Sequence, residues 1–169
     1  MKRLRDRCIS TFQIAIFLAA VASVLTADAW PCTYLTVSGG EPERVLGCLP
    51  LEKGVLFHLE FMNSIYLAPV RETFVYEPSE GICLVKVESP SAGVFEYYRL
   101  IPDGPGTALL HRPVGEFRLR SHDYEHHRLT VGEKSLRLKG LVPDGEPLVV
   151  RVRTTDDGCA AGGSRGRGD

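Results

Sequence analysis

Three groups of side chains in this chain have the types and spacing that chemistry requires. The densest is Ser121-His122-Asp123-Tyr124-Glu125-His126-His127, where three imidazoles and two carboxylates fall within six residues. His122, His126 and His127 are donors that zinc or copper accepts, and adjacent histidines can offer a ligand from each face of an extended chain. Solvated loop histidines have the same composition, so metal binding is the minor expectation and no cofactor is the major one. A second group is Ser64, Glu72 and His127, which supplies the residue types of a nucleophile, an acid and a base. Ser64 lies in no strand-turn-helix elbow sequence, and the chain is not expected to be an enzyme. The third is Glu72 alone. In Val70-Arg71-Glu72-Thr73-Phe74-Val75-Tyr76 it shares a face with Val70, Phe74 and Tyr76, because alternate strand residues point the same way. A carboxylate on an apolar face must be hydrogen-bonded, paired or protonated.

Those side chains need strands to hold them. Thr33 to Val37 and Arg44 to Leu49 flank the turn-rich Ser38-Gly39-Gly40-Glu41-Pro42. Val55, Phe57, Leu59 and Phe61 alternate with Leu56, His58, Glu60 and Met62, leaving one face apolar and His58 and Glu60 facing out. Beyond the polar Asn63-Ser64 step and Pro69 the alternation resumes through Tyr76. Further strands are expected at Ile82 to Glu88, Val94 to Tyr98, Thr107 to His111, Glu116 to Arg120, Arg128 to Val131, Lys134 to Leu138 and Leu148 to Arg153. Gly132-Glu133 is a two-residue hairpin signal. No amphipathic helix is evident after residue 29. Many short strands at close spacing predict an all-β domain, a small antiparallel barrel or sandwich following an N-terminal signal peptide.

The ends set the compartment. Lys2-Arg3-Leu4-Arg5-Asp6-Arg7 precedes an uncharged stretch from Cys8 to Ala27, and Ala27-Asp28-Ala29 has the small-residue spacing of a cleavage site. Residues 1–29 are therefore read as a signal peptide, with an uncleaved membrane anchor through residues 8–27 as the alternative. Both readings make the protein exported, periplasmic or envelope-bound. Residues 30–155 are the single all-β domain, and the glycine-rich 156–169 is expected to be a disordered tail. With 20 basic and 21 acidic side chains in 169 residues, nothing recruits nucleic acid. Of five cysteines, Cys32, Cys48, Cys83 and Cys159 follow the signal segment, and an oxidising compartment allows them three full pairings. A hairpin centred near Gly40 would set Cys32 opposite Cys48, which makes that pair the candidate disulfide. Free buried cysteines are the competing reading.

One longer pattern has a known counterpart. Asn63-Ser64-Ile65-Tyr66-Leu67-Ala68-Pro69-Val70-Arg71-Glu72-Thr73-Phe74 resembles the signature of the domain of unknown function 1850 family, roughly His-Ser-Val-Glu-x-x-Pro-Val-x-Glu-x-Phe. Phe117 to Arg120, His127 to Gly132 and Leu141 to Leu148 resemble that family's closing hairpin and last strand, so the likeness runs from about Tyr34 to Thr154. Ser64, Pro69, Val70, Glu72, Phe74 and His127 match; Asn63 and Tyr66 replace a histidine and a glutamate. The resemblance implies a small exported bacterial protein without an assigned activity, often encoded beside the permease and solute-binding protein of TRAP-type transporters of the TAXI subtype. It implies a non-enzymatic accessory whose partner is the TRAP permease, its solute-binding protein or a solute. Asn63, Ser64, Glu72 and His127 are then the candidate binding residues, with an envelope metal-binding protein or a small hydrolase as the alternative.

Overall fold

The structure is a computed structural model and describes residues 32–155; the signal segment, its alternative as an anchor, and the tail lie outside the described residues. Ten strands and one short helix follow in the order β1 (Cys32–Gly39), β2 (Arg44–Pro50), β3 (Leu56–Asn63), β4 (Ala68–Glu77), β5 (Gly81–Glu88), α1 (Ala92–Tyr98), β6 (Thr107–Pro113), β7 (Phe117–Leu119), β8 (Arg128–Val131), β9 (Lys134–Arg137) and β10 (Leu148–Thr155). They build two antiparallel sheets, one ordered β2-β1-β10-β7 and the other β6-β5-β4-β3-β8-β9. The domain is a sandwich-like all-β fold. Among the described residues no helix is long and apolar enough to cross a membrane.

Alternation in the sequence becomes burial between the sheets. Leu35 and Val37 of β1, Leu148 and Val150 of β10, Phe57 and Leu59 of β3, Val70 and Phe74 of β4, and Leu129 and Val131 of β8 belong to one apolar cluster. Aromatic rings bridge the layers: Phe57 stacks on Phe74 with centroids 5.1 Å apart, and Phe74 stacks on Phe117 of the other sheet at 5.1 Å. The edge strands β2 and β9 also come close. A Cβ on Gly47 would lie 2.6 Å from Cδ2 of Leu136, so glycine there lets the layers meet.

Three expectations need correction. The segment Val94-Phe95-Glu96-Tyr97-Tyr98 is helical, not extended. Val94 and Phe95 drop into the core, and the helix closes at Arg99 in the left-handed conformation with φ 56°. Its last turn is sealed by the Leu100 amide donating to the Phe95 carbonyl at 2.9 Å, a bond that bypasses four residues. Second, the β1–β2 hairpin turns about residues 41–42, not Gly40, and a register shift between Val37 and Ser38 adds one more residue. Thr36 therefore lies opposite Cys48, and Cys32 lies opposite Thr155 of β10. That four-residue offset is about 13 Å along a strand, beyond the reach of a Cys32–Cys48 bridge. Third, register shifts between Thr73 and Phe74 and between Leu84 and Lys86 break the two-residue alternation, so Thr73 and Phe74 are both buried.

Candidate functional site

The β3–β4 hairpin fixes one wall of the site. Asn63 pairs with Ala68 across a four-residue turn, and its Oδ1 accepts from the amides of Ile65 at 2.9 Å and Tyr66 at 3.0 Å. An Asx arrangement of this kind satisfies turn amides that have no strand partner. Asn63 thus shapes the backbone of the turn. Ser64 is exposed on the same turn.

Glu72 lies opposite Leu59 of β3 and Val87 of β5. As its place among Val70 and Phe74 requires, it is half-buried and has a partner. That partner is the Tyr98 hydroxyl, which donates to Oε1 at 2.5 Å from the last turn of α1. Burial raises the carboxyl above its ordinary range, and the Tyr98 hydrogen bond opposes part of that rise. Tyr98 is itself pushed upward by burial and by the neighbouring Glu72 charge, so it remains a donor. Sequence reasoning missed Tyr98 because it read the segment as a strand. Val94 and Tyr98 are four apart, one helical turn, but a single such pair does not outweigh the strand propensity of the segment.

His127 closes the opposite wall, immediately before β8. Its amide donates to the Tyr124 carbonyl and its carbonyl accepts from the Leu138 amide, each at 3.0 Å. Its ring stacks on Phe61 at 5.6 Å and meets the edge of Tyr124 at 5.2 Å. Tyr124 is fully buried, and its hydroxyl shares one proton between the carbonyls of Leu119 at 3.0 Å and Glu146 at 2.8 Å. The loop bearing His127 is thereby tied to β7 and to the approach to β10. Desolvation lowers the His127 pKa, which favours the neutral ring. Its Nδ1 is buried without a hydrogen-bond partner in the protein.

These residues meet in one place. Asn63, Ser64, Glu72 and His127 all line a cavity of about 390 Å³ together with Tyr97, Tyr98 and Arg120. Arg120 donates its Nε to the Gly145 carbonyl at 3.0 Å, and its terminal N–H groups make no further hydrogen bond among the described residues. Among the described residues no hydrogen bond joins Ser64 to Glu72 or His127, so the nucleophile–base–acid arrangement is not assembled. The other histidines lie outside this cavity. His126 borders one groove with Glu60, Pro69 and Arg71 and shares another with His127, Glu60 and Glu125, and His122 lies near Gly145. Asp123 accepts from Lys139 Nζ at 3.1 Å instead of holding an imidazole. His122, His126 and His127 do not bring three ligand atoms together; among the described residues the one group that does is Glu80, Cys83 and His111. His58 and Glu60 point outward as expected but part company, His58 bonding Thr73 Oγ1 at 3.0 Å and Glu60 facing Arg71 at 3.6 Å.

No family model, curated protein or solved structure matches this chain.

Proposed function

We propose that the chain is a non-enzymatic binding domain that takes a small carboxylate-bearing solute into the Glu72–His127 cavity. In keeping with the family resemblance, we assign it an accessory role in a TAXI-type TRAP uptake system in the cell envelope. The observation that carries the binding reading is the convergence of Glu72, Tyr98, His127 and Arg120 on one cavity. Arg120 supplies the matching cation, since a guanidinium holds a carboxylate by two parallel hydrogen bonds. Burial of Glu72 favours its neutral form, which removes the repulsion that an ionised side chain would exert on an anionic guest. The cavity lies within the size range of small-molecule sites. Beside it the turn exposes Ile65 at 67 % and Leu67 at 80 %, an apolar tip suited to a protein partner such as the permease or solute-binding protein.

Thermal unfolding of the full chain in millimolar mono- and dicarboxylates tests the solute. A carboxylate should raise Tm in a concentration-dependent way, and Arg120→Ala and His127→Phe should abolish the rise, the latter keeping the ring stack on Phe61. No response to any carboxylate, or a response that survives both substitutions, would remove the binding reading. Isolation of the tagged chain from its native membranes tests the partner, and recovery of neither permease nor solute-binding protein would remove the accessory role.

A further inference from the structure

On the far side of the domain from the sequence-predicted histidines, Cys83 is fully buried yet stands outside the apolar cluster between the sheets. Its β5 position is flanked by Val75 of β4 and Pro113 of β6. Two polar side chains reach it. Glu80, from the β4–β5 turn, brings Oε2 to 3.4 Å from the sulfur, and the same oxygen lies 2.6 Å from Nε2 of His111 on β6. All three ligand atoms fall within 4.8 Å of one another. A solvated ion pair has no need of a thiol at its base, and a core cysteine has no need of a carboxylate and an imidazole above it.

We propose that Glu80, Cys83 and His111 form a zinc site, with the Cys83 sulfur as its floor, the other two as its sides, and a fourth position open to water. The chemistry of the set is that of zinc: a soft thiolate, an imidazole and a carboxylate are its usual ligands, and three protein ligands with one open position are a common arrangement. The geometry is close. Tetrahedral bonds of about 2.0–2.3 Å place neighbouring ligand atoms roughly 3.4–3.6 Å apart. The oxygen–sulfur separation already has that value, and the oxygen–nitrogen separation must open by about 0.8 Å to reach it. Glu80 and His111 are roughly half exposed, at 45 % and 55 % of their side-chain surface, and free to make that movement. The sulfur is fixed by the strand beneath. On binding, zinc takes the place of the thiol proton, which leaves to solvent.

The site is independent of the carboxylate cavity, and its test does not rely on that reading. The reduced full chain is titrated with Co²⁺ as a spectroscopic probe, followed by competition with Zn²⁺. A thiolate-to-cobalt charge-transfer band with tetrahedral d–d bands is expected at one ion per chain, displaced by Zn²⁺ and absent in Cys83→Ser. Because Cys83 is buried, its variant can fail to fold, so Glu80→Gln and His111→Gln provide the second arm. Both alter exposed side chains and should each weaken Zn²⁺ binding at least tenfold while leaving the metal-free Tm within a few degrees. His122→Ala with His126→Ala should leave the affinity unchanged. Absence of the charge-transfer band in the native sequence, its persistence in Cys83→Ser, or unaltered affinity in Glu80→Gln and His111→Gln would overturn the assignment.

Discussion

Replacing Glu72 by glutamine removes a charge that the fold makes hard to keep, and the stability of that variant relative to the parent should depend on pH. The Glu72 carboxyl has an ordinary value of 4.5, raised in the folded state by burial. A group raised on folding binds more protons folded than unfolded. Its contribution is therefore complete below 4.5 and is lost as pH rises through the folded value. Each unit of elevation corresponds to about 1.4 kcal/mol. For a domain of this size that is roughly 4–7 °C in Tm. Glu72→Gln should equal the parent or fall slightly below it at pH 4, then gain on it as pH rises from 4.5 through the folded value. Tyr98→Phe should act in the opposite direction. It deletes the 2.5 Å hydrogen bond, which contributes about 0.5–1.5 kcal/mol to a neutral carboxyl and about 1.5–3 to an ionised one. Its penalty should therefore be larger at pH 8 than at pH 4. In the double variant the coupling between the two positions should follow the same trend. Scanning calorimetry of the four proteins at half-unit intervals measures all of this. A Glu72→Gln offset that is flat across pH 4–8, or a Tyr98→Phe penalty below about 0.5 kcal/mol at both ends, would refute the reasoning.

Tyr124→Phe should lower the urea midpoint by the equivalent of about 1–3 kcal/mol, because two buried carbonyls lose the hydroxyl they share; an unchanged midpoint would show that water replaces it. Gly106 has φ +71°, and a Cβ there would lie 3.0 Å from the Ser89 carbonyl oxygen. Gly106→Ala should cost about 1–3 kcal/mol in the same assay, whereas Gly104→Ala, with open space around its Cβ, should cost clearly less. Phe74→Leu interrupts both ring stacks and should cost about 1–3 kcal/mol, with loss of near-ultraviolet aromatic dichroism as a second readout.

Much of this arrangement could be read from residue order. The alternation from Val55 through Tyr76 located β3 and β4, and it put Glu72 among apolar neighbours before any partner was visible. His127 and Asn63 were singled out through the family likeness, and both line the cavity that contains Glu72. Tyr98 could not be read in the same way. Valine, phenylalanine and two tyrosines are strand formers by propensity, and seven residues are too few for a helical period to outweigh them. What decides the helix is tertiary: Val94 and Phe95 are buried, and Gly93 has no Cβ where the Tyr66 ring packs. The Cys32–Cys48 expectation failed because turn centre, which one residue can shift, sets the register of a whole hairpin. The Glu80–Cys83–His111 group was invisible because its members come from a turn and two strands joined through a register shift. Proximity in sequence instead favoured the 121–127 segment, where among the described residues no three ligand atoms come together.

The outer edge of the six-stranded sheet has a consequence for the protein at high concentration. Among the described residues β6 has β5 on one side and no strand on the other, an arrangement that invites pairing with another molecule. Asp103 Oδ2, however, accepts from the Leu109 amide at 2.6 Å, the strand ends at Pro113, and Arg112 is exposed within it. An incoming chain would find one amide already taken, a charge to desolvate and a residue with no N–H to give. The carboxylate of Asp103 thus serves as a stopper on sheet growth, and the sandwich can be concentrated without zipping to its neighbours along this strand.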